Sequence, residues 1–519
     1  MALESGQIDI PLRSDAVRNG FVNVRFDYSG AITDNRCIDQ RISGAFLSID
    51  ASGGLAETVA ASSLRTVSAL LAVMPRQADI VVPASPSQAQ AAAALTVAAG
   101  DPQARIVRAP TPLAGGNWQR GRIVIGEPRD PALSVRDTEV PEVVVGSADP
   151  AAAARLLNAR WNVILGTKVA SVEHEASGRR ADAVYFSDLD GDTSVRPVVD
   201  RGEWNVSLPA TRIPTGRSVS GLSLDVAVAS DGNAIPPVVS VTMNGVLLGS
   251  AQAERVTRVH MDEQLPSGIL GAQNTVMVAV TRQVAQGNCL FSPQGYDAQL
   301  LPSSYFTLSN AGPVTDFFLL APQFADGVTV VVPNAGALGA TANLLQGLID
   351  GATPVSVQYG GAAPNGNYVW VSDTQPPGTN PPVRFDRGTV RLTDTRGATI
   401  LDADAVRSQT LAQLLADGNR FALWIRPGTD FDASPDVAGE SPLLDLGDVA
   451  FIERGRTKLA FSSVRDRLID IQYPEQLDFA AFLIKYRLWL IALGWLIITI
   501  AFLQLLRGIY RARKKNDSS

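Results

Sequence analysis

Two segments of this chain resemble each other at a separation of 250 residues. Residues 78–107 read ADIVVPASPSQAQAAAALTVAAGDPQARIV, and residues 326–357 read DGVTVVVPNAGALGATANLLQGLIDGATPVSV. Each contains a β-branched run closed by a proline, Pro83 or Pro333, then an alanine- or leucine-rich stretch and a second β-branched run. This order predicts two parallel strands joined by a helix. The repeat therefore predicts two α/β modules in tandem.

The chain between the repeats has the periodicity of a β-sandwich. Residues 181–308 contain short alternating runs of apolar and polar residues separated by turn residues, and Asn244-Gly245 is the sequence of a tight hairpin. Cys37 and Cys289 precede similar strand-like runs and are 252 residues apart, so the β-rich parts repeat as well. We expect both cysteines to be buried thiols, with a disulfide between them as the alternative.

The N-terminal copy of the sandwich is short. Applying the repeat spacing to the second sandwich places the start of the first one before Met1, so only its last third is present. Residues 1–30 also lack the basic and apolar regions of an export signal. We therefore expect the natural chain to begin upstream of this sequence.

Composition restricts the chemistry that the chain can perform. The 519 residues are 46% hydrophobic with a net charge of −7, which argues against disorder and against nucleic-acid binding. Two cysteines are too few for a disulfide scaffold, a zinc ribbon or an iron–sulfur protein. His174 and His260 lie in different modules, and the calcium-loop-like run that starts at Asp188 has Val199 where a glutamate is required. We predict no catalytic residue, metal site or cofactor.

A long apolar segment lies near the C-terminus. Residues 488–506 carry no charge, and as a helix they would cover about 28 Å, the thickness of a bilayer core. Basic residues follow from Arg507 onward, so the positive-inside rule places the tail in the cytoplasm and most of the chain outside it. We predict one membrane-spanning helix; a buried core helix is the alternative. The residues predicted to dock a partner helix in the membrane are Leu488, Trp489, Ala492, Gly494 and Trp495.

The residues before this span have an amphipathic pattern. Pro474 suits the first turn of a helix, which would place Leu477, Ala480, Ala481 and Ile484 on one face. We predict an interfacial helix on the outer leaflet, with a helical extension of the span as the alternative.

The order of these modules resembles that of the B subunit family of bacterial cellulose synthases. The strings that carry the resemblance are NRCIDQRISGAFLSID at 35–50, SVTMNGVLLGS at 240–250 and GNCLFSPQGYDAQLLPSSYFTL at 287–308. The resemblance implies jelly-roll-like carbohydrate-binding sandwiches, flavodoxin-like α/β modules and an inner-membrane location with the bulk in the periplasm. It also implies docking on a catalytic glycosyltransferase and contact with its nascent β-glucan. Proteins of this family are also labelled as binding cyclic di-GMP. No motif in this chain supports such binding, and we assign it to the synthase complex.

The predicted architecture is a multi-domain α+β chain of alternating sandwich and flavodoxin-like modules with one C-terminal transmembrane helix. The predicted sugar contacts are Trp118, in the loop AGGNWQRG, together with Trp204 and Tyr296. We expect a non-catalytic subunit that activates a glucan synthase and guides its product; a membrane-anchored glycoside hydrolase or carbohydrate-binding protein is the alternative. The predicted boundaries are 1–58 for the truncated sandwich, 59–180 and 312–462 for the α/β modules, 181–311 for the second sandwich, 463–487 for the interfacial helix, 488–507 for the span and 508–519 for the basic tail.

Overall fold

The computed structural model divides the chain into a large compact unit, residues 1–470, and a small one, residues 471–519. The residues that it describes are 10–11, 59–75, 77–113, 118–171, 182–189, 191–230, 235–253, 257–283, 294–386, 389–393, 399–404, 409–429, 431, 443, 447–463 and 467–471. Both cysteines, His174 and the five predicted membrane-docking residues lie outside the described residues. No helix in the described part of the chain is long and apolar enough to cross a bilayer.

The first α/β module is built on a six-stranded sheet with the order β2-β1-β3-β5-β4-β6. Its elements are α1 (Val67–Val73), β1 (Ala78–Val81), α2 (Gln88–Gly100), β2 (Arg105–Val107), β3 (Gly121–Ile125), β4 (Leu133–Arg136), β5 (Glu142–Val145), α3 (Pro150–Asn158) and β6 (Val169–Ala170), with 3-10 helices at Ala61–Ser63 and Arg160–Ile164. Strands β2, β1, β3 and β5 are parallel, and β4 is antiparallel to β5 and β6. Ser87 and Gln90 form a capping box that starts α2.

The middle module is a β-sandwich, as the alternating pattern predicts. Its elements are β7 (Ala183–Tyr185), β8 (Arg196–Val198), β9 (Arg201–Pro209), β10 (Arg217–Val228), β11 (Val238–Met243), β12 (Val246–Gln252), β13 (Arg258–Gln264), β14 (Gln273–Thr281), β15 (Tyr296–Leu300) and β16 (Tyr305–Asn310), with 3-10 helices at Phe186–Leu189 and Ala210–Arg212. One sheet has the order β7-β16-β10-β15-β8 with β13 also paired to β10, and the other has the order β12-β11-β14-β9. Asn244 and Gly245 have φ angles of 50° and 80°, which confirms the predicted hairpin turn.

The second α/β module has an eight-stranded sheet, with the order β18-β17-β19-β24-β23-β25-β26-β27. Its elements are α4 (Leu320–Phe324), β17 (Val328–Val332), α5 (Leu338–Leu345), β18 (Val355–Tyr359), β19 (Tyr368–Val371), β20 (Val383–Asp386), β21 (Thr389–Thr393), β22 (Thr399–Asp404), β23 (Thr410–Asp417), β24 (Arg420–Arg426), β25 (Val449–Glu453), β26 (Arg456–Ser462) and β27 (Arg467–Ile471), with 3-10 helices at Phe317–Leu319 and Ala335–Ala337. Strands β20, β21 and β22 form a separate antiparallel sheet.

The predicted parallel pairing is confirmed in both repeats. Strand β1 pairs with β2 and β3 in parallel, and β17 pairs with β18 and β19 in the same way. Helices α2 and α5 begin 250 residues apart, as do β2 and β18. The interfacial helix predicted from residue 463 is wrong over residues 467–471, because these residues form strand β27. The other domain boundaries stay predictions.

Helix α2 joins the two α/β modules. Its residues from Gln90 to Ala98 are buried, because one side packs on the sheet of its own module and the other packs against β18. Alanine at these positions lets two sheets approach one helix closely. The side chain of Asn158 donates hydrogen bonds to the carbonyls of Thr96, at 2.8 Å, and Gly351, at 3.4 Å, so polar contacts also cross this interface.

Candidate functional site

One row of side chains crosses four adjacent strands on the outer face of the larger sandwich sheet. Strand β10 turns Leu222 and Leu224 into the core, so Ser223 between them points to the outer face, where it is only 4% exposed. Ser223 pairs with Asp262 of β13 on one side and with Tyr305 of β16 on the other, and Tyr305 pairs with Tyr185 of β7. Neighbouring strands lie about 4.8 Å apart, so this tyrosine row, Tyr185-Tyr305-Ser223-Asp262, spans about 14 Å.

The two tyrosines form the aromatic half of the row. Their ring centroids are 5.3 Å apart and their planes are inclined by 44°. Both side chains are half-buried. The residue that follows each tyrosine in the chain, Phe186 or Phe306, packs in the core, and the tyrosine points the other way. Two adjacent rings on the outer sheet face offer an angled apolar surface with hydroxyl groups attached.

A polar cluster adjoins the row on two of its strands, β10 and β13. Asp225 of β10 pairs with His260 of β13 and accepts two hydrogen bonds from the Arg258 guanidinium, at 3.1 and 2.6 Å, and one from the Ser303 hydroxyl, at 2.8 Å. The guanidinium is the chief cause that lowers the pKa of Asp225 to about 2, against the opposing effect of burial. Asp225, Arg258, His260 and Ser303 form what we call the Asp225 cluster.

His260 connects the Asp225 cluster to the tyrosine row. Its Nδ1 lies 3.0 Å from Oδ1 of Asp225, and its Nε2 lies 3.2 Å from Oδ2 of Asp262. The hydrogen bond with Asp225 is the main cause that raises the pKa of His260. The hydroxyl of Ser223 contributes most to lowering the pKa of Asp262. Asp262 therefore ends the row as an ionised, 70% exposed carboxylate.

The chemical groups of this arrangement are of the kinds that can contact a sugar ring. Aromatic faces pack against the apolar side of a pyranose ring, while carboxylates and hydroxyls accept and donate hydrogen bonds at its rim. Within the described residues, no group of three or more His, Cys, Asp or Glu side chains is placed to hold a metal ion.

The structure places Trp204 in the sandwich core, so the prediction that it contacts sugar is wrong. Trp204 points inward from β9 and is fully buried. Its Nε1 donates a hydrogen bond of 2.8 Å to the Ser194 carbonyl, and the Arg196 guanidinium lies 5.7 Å from the ring centroid. Trp204 is one of the alternate residues of β9 that face the core, so its indole does not reach the surface.

Tyr296 and Trp118 are half-buried and lie in different modules. The Arg282 guanidinium lies 5.1 Å from the Tyr296 ring centroid, which covers one face of that ring. Trp118 packs against the core of the first α/β module, away from the sandwich sheet. The structure does not bring these two residues together in one site, and their sugar contact stays a prediction.

The residues of the tyrosine row and of the Asp225 cluster were missed as sites by sequence reasoning. The neighbours of each of these residues are set by strand register and not by closeness in the chain. One local signal was available: Arg258, His260 and Asp262 alternate in RVHMD, and residues two apart on a strand share a face.

Comparisons with known proteins give partial structural similarities. No family model matches the sequence, and no curated protein matches it. The CBM36-1 domain of a multidomain xylanase from the hindgut metagenome of Trinervitermes trinervoides is similar at 9% identity and a TM-score of 0.16, over 25% of this chain and 98% of that one. A CBM36 carbohydrate-binding module in complex with calcium and xylotriose is similar at 13% identity and a TM-score of 0.15, over 24% and 98%. The CBM51-2 and INT domains of Clostridium perfringens ZmpB are similar at 9% identity and a TM-score of 0.16, over 56% and 88%. TM-scores this low identify neither a family nor a function for this chain.

Proposed function

We propose that the outer face of the sandwich binds a neutral β-glucan chain without cleaving it. The observation that carries this proposal is the tyrosine row, because it places two half-buried aromatic rings and an exposed, ionised carboxylate on the outer face of one sheet. A linear face of about 14 Å suits several consecutive sugar rings of a polymer better than a single small molecule.

The charges of the face favour a neutral polymer over an acidic one. Asp225 and Asp262 are both ionised at neutral pH, since the pKa of each is lowered. Arg258 offsets one of these charges through its two hydrogen bonds to Asp225. A polymer of uronic acids would bring further carboxylates next to Asp262 and would be repelled.

The same pKa shifts weigh against a glycoside hydrolase at this face. Hydrolysis needs one carboxyl group that stays protonated near neutral pH to protonate the leaving oxygen, which requires a raised pKa. The carboxylates beside the tyrosines have lowered values instead. The face is therefore better suited to binding than to bond cleavage.

We further propose that this binding face belongs to a non-catalytic, membrane-anchored subunit of a bacterial cellulose synthase. Support comes from the sequence resemblance and from the predicted span at 488–506, which would hold the module beside the catalytic glycosyltransferase. The parallel strands β2, β1, β3 and β5 lie side by side, as in a flavodoxin-like sheet. The subunit would sit in the inner membrane with its bulk in the periplasm, where the glucan emerges.

The binding proposal is tested with the full-length protein and cellohexaose. We expect Tyr305→Ala to weaken binding about three- to tenfold, because it removes one of the two stacking rings. Affinity is measured by isothermal titration calorimetry in mild detergent, and a thermal melt verifies folding. Trp161→Ala is the matched control, since Trp161 is 63% exposed in a different module and should leave the affinity unchanged. Equal affinities for the wild type and Tyr305→Ala, or no binding by the wild type, would contradict the proposal.

A further inference from the structure

The imidazole of His260 lies between two carboxylates. Its Nδ1 is 3.0 Å from an oxygen of Asp225, and its Nε2 is 3.2 Å from an oxygen of Asp262. Both partners have lowered pKa values and are ionised at neutral pH, so they can only accept hydrogen bonds. Both ring nitrogens therefore face acceptors.

A neutral imidazole does not satisfy this geometry. It carries one N–H donor and one lone pair, so one of its nitrogens would turn a lone pair toward a carboxylate oxygen. The imidazolium ion donates from both nitrogens and fits both contacts at once. The arrangement thus corresponds to the protonated ring.

We propose that His260 is a proton-operated clamp that fixes Asp262 at the end of the tyrosine row and thereby controls glucan affinity. The inference rests on the proposed function, because it assigns a regulation to the same face. Its physical basis is the double contact of one ring with two carboxylates from adjacent strands.

Three charged side chains lie beside His260 on this face of β10 and β13 among the described residues. Strand β10 contributes Asp225, and β13 contributes Arg258 and Asp262 on the same face as His260. Glu263 points to the other side of β13, where its carboxylate lies against Gly249 of β12, a strand without charged residues. With His260 protonated, its charge and that of Arg258 balance the charges of Asp225 and Asp262.

Loss of the proton releases Asp262 rather than Asp225. Asp225 keeps the hydrogen bonds from Arg258 and Ser303 and is only 14% exposed, so the ring continues to donate to it. Asp262 is 70% exposed and is held, apart from His260, by the Ser223 hydroxyl. Once released, its carboxylate must be ordered again when a sugar binds, and that ordering costs affinity.

The raised pKa of His260 sets where the clamp opens. Because the pKa lies above the ordinary histidine value of 6.5, the clamp is closed below pH 6.5 and opens as the pH rises through the raised value. A compartment whose pH follows that of the medium would carry this change directly to the binding face.

The experiment combines two measurements on the full-length protein. Cellohexaose affinity is determined by titration calorimetry at a series of pH values, and the protonation midpoint of His260 is followed by NMR on protein labelled at histidine, with His174→Gln used for assignment. We expect the affinity to fall about five- to tenfold as the pH rises through the midpoint. His260→Gln should bind with an affinity that no longer changes with pH.

Asp262→Asn separates the clamp from the binding face. It should return the His260 midpoint toward the ordinary histidine value, which supports the clamp independently of any ligand. Binding that is independent of pH in the wild type, or a midpoint at or below the ordinary value, would overturn the inference and leave the proposed function standing. Absence of cellohexaose binding by the wild type at every pH would instead overturn the proposed function.

Discussion

At the scale of single residues, Asp225 stabilises the sandwich as well as its outer face. Its carboxylate bonds to Arg258, Ser303 and His260, and its main chain bonds to Ser304 and Leu301, so it ties β10, β13 and the turn after β15 together. We expect Asp225→Asn to destabilise the sandwich by about 1–3 kcal/mol, because a charged acceptor of several hydrogen bonds is lost. The measurement is the thermal unfolding midpoint by differential scanning fluorimetry.

The control for this variant is Asp297→Asn, on the neighbouring strand β15, where the side chain is exposed. It should leave the midpoint within error. The lowered pKa of Asp225 also determines how its contribution to stability changes with pH. Asp225 has a folded-state pKa of about 2, below its usual 3.8, so its contribution is complete above the usual value and is lost as the pH falls through about 2. An equal effect of both substitutions at neutral pH would show that the Asp225 hydrogen bonds add no stability.

At the scale of elements, helix α2 couples the two α/β modules. Ala92 is 4% exposed and belongs to the core that α2 shares with the second module, whereas Ala89 on the same helix is exposed. We expect Ala92→Leu to cost about 1–3 kcal/mol, since the two sheets leave no room for the added atoms. Hydrogen-exchange mass spectrometry should then show faster exchange in both α2 and β18. Ala89→Leu is the matched control, and faster exchange confined to α2 would refute the shared core.

The elements were predictable from the sequence to the extent that their periodicity is local. The repeat at Pro83 and Pro333 revealed two strand-helix-strand units, and Asn244-Gly245 marked a hairpin, because each depends on residues close in the chain. The tyrosine row depends on four strands that begin far apart, so its neighbours follow from register alone. The prediction of sugar contact by Trp204 was wrong for a related reason. A shift of one residue along a strand decides whether a side chain faces the core or the surface.

At the scale of the whole molecule, sugar binding and membrane attachment are expected to lie in different parts of the chain. We propose that sugar binding resides in the sandwich at residues 183–310 and that attachment to the synthase resides in residues 472–519, which follow β27 and belong to the second compact unit. The described sandwich packs against the second α/β module through contacts such as that of Arg212 with Asp350, at 3.6 Å. The two functions should therefore be separable by deletion.

Deletion of residues 472–519 tests this division, because it removes the predicted interfacial helix and span and leaves β27 intact. We expect glucan synthesis in membranes to be abolished and co-purification of the multi-span glycosyltransferase to be lost, since the predicted apolar span that would dock it is removed. Cellohexaose affinity of the truncated protein should remain within twofold of the full-length value, a difference of about 0.4 kcal/mol in binding free energy. Tyr305→Ala in the full-length chain is the reciprocal control, with weaker binding but intact co-purification. Synthesis at the full rate without residues 472–519 would refute the anchoring role, and loss of sugar binding on the same deletion would show that the two functions are one.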